Sequence, residues 1–312
     1  MSSATVMTSC LVIQQIADAG LVLLKRAGLK VNQPRTTEFT ALKPHLSDAC
    51  AVITRNHGLS AAEIAVAPNL KVIVSHGAGI DAIDKPAADA RGVPVLSTPG
   101  TNTTAVAEHT MALMLACARQ VPQADKAIRD GDFDFRYRQT GFELYGKTLG
   151  LVGYGRIAQQ VAHLARAFGM QVLACSQHST EEEMLKSGVE RVDLHSLRIR
   201  SDIVSLHTVP GGIPKFDAAG ISELKSGAIL INTARGALID EAALVAALKG
   251  GHLVGAALDV FDSEPTAVDS PLVSCPSLIL TPHIGGSAHE ALKRTAIESA
   301  KKVIEALGLP EP

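Results

Sequence analysis

A glutamate precedes a proline in Phe261-Asp262-Ser263-Glu264-Pro265, and a histidine follows a proline in Thr281-Pro282-His283-Ile284-Gly285-Gly286. Imidazole titrates near neutrality, with an unperturbed pKa of about 6.5, so it can give or take a proton under ordinary conditions. A carboxylate beside it favours the protonated ring and fixes its orientation. Arg235, in Ile231-Asn232-Thr233-Ala234-Arg235-Gly236, carries a permanent charge in a planar fork that suits a carboxylate. Together the three groups could serve ketone reduction. Hydride reaches the carbonyl carbon, and the oxygen then needs a proton and a compensating charge. Taken alone, Arg235 reads equally well as a surface ion-pair partner. His283 reads equally well as one of eleven histidines, most without a catalytic part. The elements that carry them must decide.

The most informative element is a loop. Thr148–Val152 reads as a strand and runs into Gly153-Tyr154-Gly155-Arg156-Ile157-Ala158, a GxGxxA, then into an amphipathic pattern over Ile157–Phe168 and another strand at Gln171–Cys175. The first glycine permits the tight turn. The second lets the backbone approach a pyrophosphate, and the small Ala158 lets the helix sit close on the strand. The helix N-terminus then offers free N–H groups to the phosphates. A dinucleotide cofactor is expected at Gly153, Tyr154, Gly155, Arg156 and Ile157. An NAD-type site wants Asp or Glu at the end of the second strand, against the ribose hydroxyl. That stretch reads Ala174-Cys175-Ser176-Gln177-His178-Ser179-Thr180, and no carboxylate comes before Glu181. Ser176 and Gln177 therefore remove the repulsion against a 2′-phosphate. NADP(H) is the preferred expectation and NAD(H) the alternative, because this stretch carries no Arg or Lys to clamp a phosphate.

Around this loop the chain alternates. Cys10–Ile13, Ala51–Thr54, Lys71–Ser75 and Val93–Leu96 read as one series of buried parallel strands. A second series follows: Thr148–Val152, Gln171–Cys175, Ile203–His207, Ala228–Asn232, Val254–Val260 and Leu278–Thr281. Helical spacing marks Thr103–Arg119, Gln123–Arg129, Glu241–Lys249 and a last helix over Ser287–Leu307. The fold class is therefore α/β with parallel sheets. Phe133 to Tyr145 reads as a loop holding five of the ten aromatics (seven Phe, three Tyr), a surface that could cover a partner subunit.

Composition agrees. Apolar residues make up 46% and charged residues 19% of 312, which suits a well-buried globule. The net charge is −2 with no basic block, so neither nucleic acid nor an anionic membrane is an expected partner. Five scattered cysteines without a CxxC point to a reducing cytoplasm and to no metal site. The N-terminus carries no secretory pattern, and Met111–Ala118 is too short to span a bilayer.

Five stretches together carry a resemblance: Val74–Asp84 (VSHGAGIDAID), Leu144–Ala158 (LYGKTLGLVGYGRIA), Ile231–Asp240 (INTARGALID), Ala257–Pro265 (ALDVFDSEP) and Leu280–Gly286 (LTPHIGG). In this order and spacing the chain resembles the D-isomer-specific 2-hydroxyacid dehydrogenases, of the glyoxylate or hydroxypyruvate reductase type. The resemblance implies two flavodoxin- or Rossmann-like domains with a cleft between them. Residues 1–99 plus 286–312 would form the substrate domain, and 100–285 the dinucleotide-binding domain. It implies Arg235 on the substrate carboxylate and keto oxygen, His283 as acid/base, and Glu264 paired with that histidine. Ser75, His76, Gly77, Ala78 and Gly79 would hold the carboxylate. His207, Thr208, Val209, Thr233, Ala234, Asp259, His283 and Gly285 would line the cofactor. A homodimer, joined through Thr103–Arg119 and the arm after it, is also implied.

Departures from the family pattern narrow the substrate. Phosphoglycerate-type members often carry Arg where Ser75 stands, and many have an added regulatory domain for which a chain ending at 312 leaves no room. Formate-type members usually pair the histidine with Gln, not Glu. Val209–Lys225 is a few residues shorter than the common pattern. The expected reaction is reduction of a small 2-oxo acid to the D-2-hydroxy acid. The rivals are a D-3-phosphoglycerate or larger 2-oxo acid dehydrogenase using NADH, and a nucleotide-sensing binding protein on the same fold.

Overall fold

The computed structural model describes residues 8–310 and 312. It divides into two compact units, one of Met1–Asn102 with Gly286–Pro312 and one of Thr103–Gly285.

The first unit holds a five-stranded sheet of β1 (Ser9–Val12), β2 (Lys30–Asn32), β3 (Ala49–Thr54), β4 (Val72–Ser75) and β5 (Val95–Leu96). The strand order is β2-β1-β3-β4-β5, all parallel, which is the flavodoxin-like winding. Every residue of β1, β3 and β4 is buried, as the continuous Val, Ile, Ala and Cys runs require of strands covered on both faces. The last helix, His289–Ala306, packs on helix Asp18–Arg26 and on β4. It also pins the outgoing chain: Arg294 Nε donates to the Thr101 carbonyl at 3.0 Å, and the Thr295 hydroxyl to Thr101 Oγ1 at 2.8 Å.

The second unit holds a seven-stranded sheet: β6 (Thr148–Val152), β7 (Gln171–Cys175), β8 (Glu190–Arg191), β9 (Ile203–Leu206), β10 (Ala228–Asn232), β11 (Leu253–Leu258) and β12 (Leu278–Leu280). Its order is β8-β7-β6-β9-β10-β11-β12, again all parallel. This is the dinucleotide-fold winding, with the strand order reversing between β6 and β9. Helix Arg156–Ala167 buries Ala158, Val161, Ala162 and Ala165, the one-face spacing that its small apolar residues foretell. Helix Thr103–Arg119 lies against that helix and against β10 and β11.

Two strands escape the sequence pattern. β2 and β8 are short edge strands with no fully buried residue, so they carry no apolar run to read. The arm read as a loop contains a one-turn helix, Phe135–Arg138, and the preceding helix begins at Val121, with Pro122 in its first turn.

Candidate active site

Because the seven strands of the second unit run parallel, their carboxyl ends share one edge. Nearly every cofactor and catalytic candidate of this unit lies on that edge. β6 delivers Gly153, β7 Ser176, β9 His207, β10 Thr233 to Arg235, β11 Asp259 to Glu264, and β12 Thr281 to His283.

At the switch point, the Gly153 amide donates to the Cys175 carbonyl at 2.8 Å and the His207 amide to the Val152 carbonyl at 2.8 Å. Gly153 has φ +97°, and a Cβ there would stand 2.4 Å from the His207 carbonyl oxygen, so this turn needs glycine. A Cβ on Gly155 would meet nothing within 4 Å. Gly155 is the N-cap of a twelve-residue helix with no side-chain cap, which leaves its first-turn amides facing open space. This cradle fits the pyrophosphate of a dinucleotide. Of the other loop residues, Arg156 is exposed, Ile157 packs half-buried on the core, and Tyr154 is only 3% exposed. Tyr154 thus offers its backbone rather than its ring.

The remaining cofactor candidates line the same edge. Ser176 Oγ accepts the amides of His178 and Ser179, each at 3.3 Å, and Gln177 Nε2 donates to the Gly212 carbonyl at 2.5 Å. His207 Nε2 and Ser205 Oγ are 2.9 Å apart, and desolvation pushes this imidazole down to about 4, so it is neutral. Thr208 is half-buried and Val209 exposed. Thr233 Oγ1 lies 3.0 Å from Thr110 Oγ1 of helix Thr103–Arg119.

Asn232, fully buried, shapes the turn that presents Arg235. Its Oδ1 accepts the Ala234 amide at 3.0 Å, and its Nδ2 donates to the Arg235 carbonyl at 2.8 Å. Gly236 follows because a Cβ there would lie 1.9 Å from the carbonyl carbon of Phe261. The turn after β10 is therefore pressed against the loop that carries Glu264.

The acid/base candidate is fully assembled. His283 Nδ1 is 2.7 Å from Glu264 Oε2, and the Phe261 amide donates to Glu264 Oε1 at 3.1 Å. His283 Nε2 has no partner among the described residues, and the side chain is 38% exposed, so this nitrogen can reach a ligand. His283 has φ +53°, a left-handed conformation that costs a non-glycine residue about 1 kcal/mol. Asp259 holds that turn. Its Oδ1 accepts the Ile284 amide at 2.8 Å and the Thr281 hydroxyl at 2.6 Å, and its Oδ2 accepts the Gly285 amide at 2.8 Å. His109 Nε2, from helix Thr103–Arg119, is 3.3 Å from Asp259 Oδ1 and 3.1 Å from Thr281 Oγ1. Burial alone would raise the Asp259 carboxyl. The bonds from His109, Thr281 and the two amides outweigh it and hold this group below its usual range. Asp259 is 1% exposed and already surrounded by donors, so it acts here as the brace of the His283 turn.

In the first unit, β4 ends in the Ser75–Gly79 turn. Ser75 Oγ donates to the Gly79 carbonyl at 2.5 Å, and the Gly77 carbonyl accepts the Thr98 amide at 2.8 Å. The amides of Gly77, Ala78 and Gly79 find no acceptor among the described residues. Such unspent N–H groups are available to an anion. His76 is buried instead, and its Nε2 has no partner. Burial, with Arg55 nearby, pushes its imidazole down to about 4. It is a neutral ring beneath the turn.

His109, Asn232 and Asp259's bracing role were not read from the sequence. A histidine among the apolar residues of Thr103–Arg119, and an amide ending an apolar strand, were the available signals.

Comparison with known proteins shows the family. Residues 111–285 match the family model described as D-isomer specific 2-hydroxyacid dehydrogenase, NAD binding domain. The chain belongs to that family. It is 41% identical over 245 residues to a hydroxypyruvate reductase of Thermotoga maritima, covering 77% of this chain and 79% of that one. It is 37% identical over 305 residues to a D-3-phosphoglycerate dehydrogenase of Archaeoglobus fulgidus, covering 96% of this chain and 58% of that protein. The chain thus spans little more than half the length of such phosphoglycerate dehydrogenase relatives. Among solved structures, the TT0316 protein of Thermus thermophilus superposes with a TM-score of 0.87 at 36% identity, covering 98% of this chain and 99% of that one. A glyoxylate reductase from Paecilomyes thermophila gives 0.84 at 30% identity, over 96% and 95%. Two parallel-sheet units of dehydrogenase type, with an NAD-binding domain, are therefore the family architecture of this 2-hydroxyacid dehydrogenase relative.

Proposed function

We propose that this chain reduces a small 2-oxo acid, of the glyoxylate or hydroxypyruvate type, to the D-2-hydroxy acid. The observation that carries the reading is the 2.7 Å pair of His283 and Glu264, with Nε2 of the ring left unspent. When bound, the nicotinamide supplies a hydride to the carbonyl carbon. His283 gives the proton to the oxygen from Nε2, while Glu264 holds the opposite side of the ring and stabilises its positive form. Arg235 binds the carboxylate and the keto oxygen, where its charge offsets the negative charge that develops. The free amides of Gly77, Ala78 and Gly79, beside Ser75 and His76, are the carboxylate-binding group of the first unit. The cofactor is held by the Gly153–Ile157 cradle, by Ser176 and Gln177, and by His207, Thr208, Val209, Thr233 and Ala234. Without a carboxylate after β7, NADP(H) is the preferred form and NAD(H) the other.

A second reading is D-3-phosphoglycerate oxidation, favoured by the identity to phosphoglycerate dehydrogenases. Ser75, at a position where such enzymes often place Arg, weighs against it. Steady-state kcat/KM across glyoxylate, hydroxypyruvate, its phosphorylated form and larger 2-oxo acids, with both cofactors, tests the proposal. Preference for the unphosphorylated small acids supports it, and preference for the phosphorylated acid overturns it.

We also propose a cytoplasmic homodimer. Phe133, Tyr137 and Tyr145 of the arm are 62%, 73% and 77% exposed, more apolar surface than a lone chain leaves to water without reason. Among the described residues no helix is long and apolar enough to cross a membrane. Sedimentation equilibrium decides the oligomeric state, and a monomer at micromolar concentration rejects the dimer.

A further inference from the structure

The stretch Cys175–Thr180 carries no Arg or Lys, so a 2′-phosphate there would lack a cation from its own loop. The fold brings one from the neighbouring strand. β8 pairs in parallel with β7, and Arg191 stands opposite Ala174. From that position its guanidinium passes the end of β7, and Nη2 donates to the Ser176 carbonyl at 3.4 Å. The bond is long and the side chain exposed, so most of the five guanidinium N–H groups are unspent.

The surroundings suit an anion. Ser176 Oγ accepts two amides, which leaves its own hydrogen to donate, and the exposed His178 follows. The two carboxylates that flank Arg191 in the sequence are engaged elsewhere. Glu190 is held by Arg200 through two bonds of 2.7 Å, and Asp193 caps its helix through the Ser196 amide at 2.7 Å.

We propose that Arg191, with the Ser176 hydroxyl and His178, reads the adenosine 2′-phosphate of NADP(H) from the edge strand. A planar guanidinium matches phosphate oxygens in both charge and geometry. The assignment rests on the NADP(H) reading given above and extends it to a named specificity residue.

Calorimetric titration of adenosine 2′,5′-bisphosphate and of 5′-AMP tests this without turnover. The wild-type protein should bind the bisphosphate more tightly than 5′-AMP. Arg191→Ala should weaken the bisphosphate about tenfold and leave 5′-AMP nearly unchanged, and Arg191→Lys should recover part of the loss. Added salt should erode the bisphosphate preference of the wild type more steeply than that of Arg191→Ala. If wild type prefers the bisphosphate and Arg191→Ala keeps that preference in full, another group reads the phosphate and this assignment fails while the NADP(H) reading stands. If wild type binds the two nucleotides alike, the NADP(H) reading fails and takes Arg191 with it.

Discussion

Glu264 Oε2 and His283 Nδ1 stand 2.7 Å apart, although their residues leave the sheet from the ends of two different strands. The pairing fixes which nitrogen of the ring faces outward. It also places a counter-charge where protonation of the ring needs one. His283 is held in a left-handed backbone conformation by amides clamped to Asp259 on its C-terminal side. The orientation of the ring and the conformation of its backbone are thus set by two separate carboxylates.

Removing the ring should remove the chemistry and spare the binding. His283→Ala is expected to lower kcat for 2-oxo acid reduction by roughly 10²–10⁴-fold, the range for a lost general acid. Fluorescence titration should show cofactor affinity retained. Ordinary turnover in this variant would reject the acid/base role.

Glu264→Gln keeps the shape and removes the charge. The ring loses the charge that offsets its positive form in the reacting state, so kcat for reduction should fall roughly tenfold while cofactor affinity holds. Steady-state turnover beside a cofactor titration reads this directly. An unchanged kcat would reject the pairing.

Asp259 makes a different prediction, because its carboxylate answers backbone amides. Asp259→Ala leaves the Ile284 and Gly285 amides without their acceptor and should cost roughly 2–4 kcal/mol of stability. Hydrogen exchange should show both amides protected in the wild type and open in the variant. Unchanged protection would mean that the turn is held by something else.

The two glycines of the nucleotide loop should separate folding from binding. Gly153→Ala drives a Cβ to 2.4 Å from the His207 carbonyl at φ +97°, so its melting temperature should fall by several degrees. Gly155→Ala meets nothing within 4 Å in the protein, so it should melt normally and still bind dinucleotide poorly. Normal cofactor affinity in Gly155→Ala would place the pyrophosphate elsewhere.

Acid should destabilise the protein through two desolvated rings, His76 buried and His207 half-buried. His76 and His207 are held down to about 4, largely by desolvation. In the unfolded chain both bind a proton as the pH drops through about 6.5. The folded state does not, so over this window the unfolded state binds more protons and stability falls with pH. Each ring should account for on the order of 3 kcal/mol by pH ~4. Melting curves across this range should show the decline, and His76→Asn and His207→Asn should each flatten it. A midpoint indifferent to pH, or unmoved by both variants, would contradict the burial argument.

Much of this was legible in the chain. Strands such as Thr148–Val152 and Ala228–Asn232 coincide with apolar runs, because a strand buried on both faces admits little else. Helices Thr103–Arg119 and Glu241–Lys249 coincide with their periodicities for the same reason of burial. Short exposed edge strands were not legible, since nothing buries them and water tolerates any polar residue there.

The sequence by itself determined most of the buried strands, the longest helices, the nucleotide loop and the candidate residues for the chemistry, because each rests on local spacing and on side-chain type. Only the tertiary structure decided who neighbours whom. It set Arg191 beside Ser176, made Asp259 the brace between His109 and the His283 turn, and turned Tyr154 and His76 inward. Those relations depend on strand order and on helix packing. They join groups far apart along the chain through hydrogen bonds whose strength depends on burial, and no local pattern of residue types encodes them.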